Sequence, residues 1–231
     1  MTIFILVLGL LPGFVWLSFY LQEDRAKPEP KSLLAFSFLA GAAATIPTVG
    51  LEIILRDVLR SSGIHDHAPA SFLGLSLIEE VMKFAAAYFV VHKSKYFDEP
   101  IDGMIYLVTA ALGFATAENI AVNSGLLNNF NSNELAATSL ILGDIFDVTT
   151  RRFIGATLLH SLSSGILGYY WAKGIKSRKI LIFLLFGLVI ATLLHAIFNY
   201  LIIKNVNIIF PTLFLMFAAF FVLNDFEKLK R

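Results

Sequence analysis

The sequence predicts an all-α protein, a polytopic membrane helix bundle with about seven transmembrane helices, or eight if one further segment crosses. Three observations carry that reading. Of 231 residues, 57% are hydrophobic and 15% charged, where an average soluble domain carries about 25% charge. Mean hydropathy is +0.76. Apolar stretches recur at the length of about 20 residues that a helix needs to cross a bilayer.

Taken in order, the expected spans are 2–21, 32–55, 70–91, 101–122, 149–172, 180–203 and 206–223. The first, "MTIFILVLGLLPGFVWLSFYL", lacks the basic start of a cleavable signal and is read as a retained helix. The connection "QEDRAKPEPK" is charged and proline-bearing, as an aqueous loop should be. Pro47 in "ATIPTVGLE" is expected to kink the second span. Between the fourth and fifth, "NSGLLNNFNSNELAATSLILGDIFDV" begins polar and turns apolar. It reads as an interfacial or re-entrant helix, or as the eighth span. One membrane domain over 1–231 is expected, with a catalytic core at about 70–203.

Charge orients the bundle. Twelve of the eighteen basic residues lie in the first, third and fifth connections and the C-terminal tail; five lie in the others, and Lys83 is intramembrane. The bias of Lys and Arg toward the cytoplasm places the N-terminus outside and "DFEKLKR" inside, in a prokaryotic cell membrane. The near-neutral net charge of +1 gives no sign of nucleic-acid binding, and the absence of cysteine excludes disulfides, thiolate ligation and a cysteine nucleophile.

Ionisable groups stand where they are expensive. "FLGLSLIEEVMKFAAAYFVV" carries Glu79, Glu80 and Lys83 near its centre, and a charge there costs about 2.5–3.5 kcal/mol even on insertion scales. Span four brings Glu118 and Asn119, span five His160, span six His195 and, one turn on, Asn199. At 1.5 Å per residue, Glu79, His160, His195 and Glu118 lie about 14, 16, 12 and 6 Å below the outer boundary. Four helices therefore deliver acids and imidazoles to one level in the outer half of the bilayer, which points to one buried site.

The residue types set its chemistry. A carboxylate in a dry pocket serves as general base on water. Glu79 and Glu80 lie about 100° apart around their helix, so one faces the centre and the other a flank. Lys83, near the face of Glu79, neutralises one of them. His160 and His195 either ligate a metal or, protonated, stabilise an oxyanion, for which Asn199 is a second donor. That constellation suits hydrolysis of a peptide bond inside the membrane. The rival from these residues is a proton-coupled transporter, whose relays use the same groups; it calls for paired repeats, which the chain lacks. His65–His67 ("HDH"), Arg151 with Arg152, and His92 with Lys93 are read as loop or interface residues.

At these positions the chain resembles the PrsW family of intramembrane proteases, distant relatives of type II CAAX prenyl proteases. "EEVMK" (Glu79–Lys83) matches EExxK, "FATAEN" (Phe114–Asn119) matches FxxxEN, the segment around His160 matches the family's first histidine helix, and "HAIFN" (His195–Asn199) matches HxxxN. The resemblance covers about residues 70–203. It implies cleavage of a membrane-anchored protein, in related cases an anti-sigma factor cut at its extracytoplasmic side. CAAX proteases carry histidine where this chain has Glu118, which disfavours a prenylated peptide. His160, His195 and Glu118 are candidate zinc ligands, leaving Glu79 or Glu80 as base. No HExxH pair is present.

Overall fold

The computed structural model describes residues 2–124, 149–204 and 206–230. Its helices are α1 (Thr2–Tyr20), α2 (Lys31–Ser61), α3 (Pro69–Val91), α4 (Asp102–Asn123), α5 (Ala156–Ser177), α6 (Ile180–Ile203) and α7 (Ile209–Leu229), and no strand occurs among the described residues. Four of these, α2, α4, α6 and α7, are long and apolar enough to cross a membrane, and α1 adds a shorter apolar stretch, Ile5–Tyr20. α3 is of similar length but carries Glu79, Glu80 and Lys83. Beyond Ser124, the segment read as an interfacial helix or eighth span lies outside the described residues.

α4 is the axis of the bundle. Every residue from Asp102 to Thr116 is buried, and α1, α2, α3 and α5 pack around it, as a helix apolar on all sides requires. Its contact with α2 is at backbone distance: a Cβ added to Gly41 would stand 1.9 Å from the Ala110 carbonyl oxygen, and one on Gly113 1.9 Å from that of Phe38. Without a hydrophobic force between helices in lipid, such close packing is what holds them together. Gly113→Leu is therefore expected to push α2 off α4 and lower the melting temperature in detergent, at a cost of at least about 1–3 kcal/mol. Gly50, whose added Cβ meets nothing within 4 Å, is the control; Gly50→Ala is expected to melt no lower than the parent.

α5 and α6 form a hairpin closed by Arg178, in the left-handed region at φ 56°, and Lys179. Counting back from this turn at 1.5 Å per residue, His160 and His195 lie about 25 and 23 Å away, so the short connection sets both imidazoles at one level. Outward side chains of α6 and α7 such as Leu181, Ile182 and Phe220 are 65%, 66% and 68% exposed, a surface for lipid.

The helix ends differ from expectation in three places. α2 continues six residues past 55, since nothing breaks it until Gly63 turns left-handed at φ 75°. Span five, expected from 149, is interrupted at Gly155, so residues 149–154 form a separate helical stretch before α5. α7 runs on to Leu229 because Val222 and Phe226, both fully buried, continue its inner face against the ring of Tyr20 at 5.8 Å. The connection between α1 and α2, read as plainly aqueous, holds two buried carboxylates, Asp24 and Glu29.

Candidate active site

Four helices bring their ionisable groups together. α3 supplies Glu79, Glu80 and Lys83, α4 supplies Glu118, α5 His160 and α6 His195, and all but Glu118 are buried. The two glutamates of α3 divide as adjacent helix positions must. Glu80 is fully buried and accepts from Lys83 Nζ (2.6 Å), Ser163 Oγ (2.9 Å), Ser164 Oγ (3.3 Å) and His195 Nδ1–H (2.8 Å). Its lone pairs are committed. Glu79 faces the two rings instead: its Oε2 stands 3.7 Å from His160 Nδ1, 3.5 Å from His195 Nε2 and 3.8 Å from Lys83 Nζ. That oxygen has no hydrogen-bond partner among the described residues.

The outer hydrogen bonds fix the tautomers. Because Lys83 has only protons to give, its 2.9 Å bond to His160 Nδ1 makes that nitrogen an acceptor, and the Nε2–H donates to Glu118 Oε2 at 2.9 Å. His195 donates Nδ1–H to Glu80, so its Nε2 carries a lone pair. Each imidazole thus has a carboxylate behind it and its other nitrogen toward Glu79, the arrangement that orients histidine ligands; that of His195 is free and that of His160 is held by Lys83. Glu79 Oε2 and His195 Nε2 present free lone pairs to one another, and His160 Nδ1 adds a third donor when Lys83 gives up its bond to that nitrogen.

The donor set fits a metal. One ligand atom each from Glu79, His160 and His195 lies within 4.8 Å of the others. The 3.5 and 3.7 Å separations lie close to the edge of about 3.3 Å that a tetrahedral zinc site spans. Two nitrogens and one carboxylate oxygen form the usual ligand set of a catalytic zinc. Glu118 does not belong to this trio; it backs His160 and receives Arg152 at 3.3 Å. Phe114 of "FATAEN" lies 5.3 Å from Lys83 Nζ and 5.7 Å from the His160 ring.

The remaining expected residues take other places. Asn119 accepts from Arg152 Nε and donates to Thr157 Oγ1 at 3.0 Å, joining α4 to the start of α5. Asn199 is half-buried one turn beyond His195 and makes no side-chain hydrogen bond among the described residues. Of the arginine pair read as interface residues, Arg152 in fact reaches Glu118 and Asn119. His65 and His67 are exposed, and Asp66 between them is held by Arg60, whose Nε donates at 2.9 Å and keeps that carboxyl below the usual range.

Two features escaped the sequence reading. Glu52 of α2 lies near enough for its carboxyl and that of Glu79 to influence one another, and the only sequence signal was a lone acid in an apolar run. Ser163 and Ser164 supply two protons to Glu80, and serines in a membrane helix are too common to single out.

Comparison with known proteins identifies the family. The family model described as PrsW family intramembrane metalloprotease matches residues 29–224. The chain belongs to that family. Relatives named Protease PrsW include those of Geobacillus kaustophilus, 30% identical over 201 residues (85% of this chain, 79% of the relative), and of Bacillus subtilis, 26% over 223 residues (95% and 93%). That of Clostridioides difficile is 28% identical over 204 residues (87% and 79%). No solved structure matches. As a PrsW-family member the chain is an integral membrane protease of bacterial type, and neither the transporter nor the prenyl-protease alternative is favoured.

Proposed function

We propose that this PrsW-family protease cuts a membrane-anchored, anti-sigma-factor-like protein at a site built on Glu79, His160 and His195, within a bundle that crosses the membrane seven times with its N-terminus outside. The observation that supports the reading is the closeness of three donor atoms, Glu79 Oε2, His160 Nδ1 and His195 Nε2, at a buried point, with Glu79 Oε2 left without a partner. Glu79, His160 Nδ1 and His195 Nε2 would hold a zinc-class ion, which supplies Lewis-acid polarisation of a carbonyl and of water.

The chain's own groups do the rest. Glu80 and Glu118 fix the two imidazoles. The second oxygen of Glu79 takes a proton from the attacking water, with the Glu52 carboxyl beside it as the next acceptor. Lys83 balances Glu80 and yields the Nδ1 lone pair of His160. Asn199, one turn past His195, is assigned the role of oxyanion donor. Ser76 and Thr192, on the turns before Glu80 and His195, are buried hydroxyls without partners among the described residues, and such groups are normally met by ordered water. An apolar cleft lined by Phe72, Leu73, Leu193, Ala196 and Tyr200 opens between α3 and α6, about 10 Å along α3 from Glu79, and offers a side entrance for a substrate segment.

The test is metal analysis of purified protein beside cleavage of a single-span reporter. Near-stoichiometric metal, chelator-sensitive cleavage restored by Zn²⁺, and loss of metal in His195→Ala are expected. Metal-free protein whose cleavage ignores chelator would overturn the ligand assignment.

A further inference from the structure

A second group of carboxylates lies at the other end of the bundle, where α1 passes into α2 and α4 begins. Asp24 and Glu29 come from the α1–α2 connection and Asp102 from the first turn of α4; they are 5%, 8% and 0% exposed. One oxygen from each lies within 4.8 Å of the others. Charges this deep are normally paired or bound to a metal. The nearby lysine is engaged elsewhere: Lys27 Nζ bonds both Asp98 oxygens at 2.8 Å and meets Glu99 at 3.4 Å.

Some of the oxygens are explained. Asp102 Oδ2 accepts from the backbone N–H groups of Asp98 (2.9 Å) and Glu99 (2.7 Å), and Glu29 accepts from the Tyr106 hydroxyl. Two are not: Asp102 Oδ1 and Asp24 Oδ2 are buried and have no hydrogen-bond partner among the described residues. Leaving a buried acceptor unmade is costly, and here two such atoms belong to one cluster. The amino end of α4 favours an ionised Asp102 and opposes a cation, but three carboxylates outweigh half a charge.

We propose that Asp24, Glu29 and Asp102 form a second cation site, distinct from the candidate active site, taking a hard divalent ion of the Ca²⁺ or Mg²⁺ class. The all-oxygen donor set selects that class over zinc. Its position gives it a purpose: it pins the α1–α2 connection to the start of the helix that carries Glu118, on the face to which the basic residues assign the cytoplasm.

The test uses full-length protein in detergent, stripped with EDTA. Adding Ca²⁺ or Mg²⁺ to about a hundred times Kd is expected to raise the melting temperature by about 5 °C or more, and the ion that acts at lower concentration is the better fit. Asp24→Asn is expected to lose the shift and, relieved of repulsion, to melt no lower than the parent in EDTA. Glu79→Gln is expected to keep the shift. The proposal is overturned if neither ion shifts the melt and dialysis shows no retained ⁴⁵Ca²⁺. It is equally overturned if Asp24→Asn keeps the shift or melts lower in EDTA, or if Glu79→Gln abolishes the shift, since the ion then acts at the other site.

Discussion

Glu79→Gln is expected to reduce reporter cleavage by about 10³-fold or more while leaving the folded protein intact. General-base assistance alone is worth about 10²–10⁴, and Glu79 is assigned metal ligation besides. Its Oε2 makes no hydrogen bond among the described residues, so an amide in its place breaks no hydrogen bond between α3 and its neighbours. The variant should therefore melt near the parent temperature, carry less metal, and cleave almost nothing. Glu52→Gln, which removes only the neighbouring carboxyl, should lose about tenfold or more but less than Glu79→Gln. Full cleavage by Glu79→Gln would sink the assignment of the reacting carboxylate.

Lys83→Met should have the largest effect on stability. Lys83 and Glu80 are both fully buried, 2.6 Å apart, and Glu80 has no other charged partner so close. Removing one member of a buried pair leaves the other uncompensated, at about 3–5 kcal/mol, whereas replacing both by neutral groups is often nearly free. The Lys83→Met, Glu80→Gln double variant should thus unfold later than Lys83→Met alone, a coupling that a double-mutant cycle reads directly. It should still be inactive, because His195 loses the carboxylate that orients its ring. Denaturant unfolding in micelles gives the first measurement and reporter cleavage the second. A Lys83→Met variant within about 1 kcal/mol of the parent would show that the pair is not what holds α3 in place.

The candidate site was legible because cost and length leave marks in a sequence. Glu79, Glu80, Lys83, His160 and His195 interrupt apolar runs, and counting at a fixed rise per residue puts them at one level before any coordinates exist. The hairpin of α5 and α6 repeats that count from its own turn. What distance along a helix cannot reveal is rotation about it. Glu52 was passed over since nothing in "GLEIILRD" says which way α2 faces. Arg152 was read as an interface residue, whereas on the stretch before the break at Gly155 it reaches Glu118 and Asn119. Asp24 and Glu29 looked like loop charges because burial of a connection depends on what packs over it.

By itself the sequence determined that this chain is a helical membrane protein, that it carries acids and imidazoles within four of its apolar segments, and that their types suit hydrolysis. Only the tertiary structure decided which glutamate of the adjacent pair meets the two rings, which is tied to lysine and serine, and which carboxylate stands behind each histidine. The reason is physical: composition and spacing set how far along a helix a group lies, while its direction is set by backbone contacts such as Gly41 and Gly113 that lock one helix's rotation against the next.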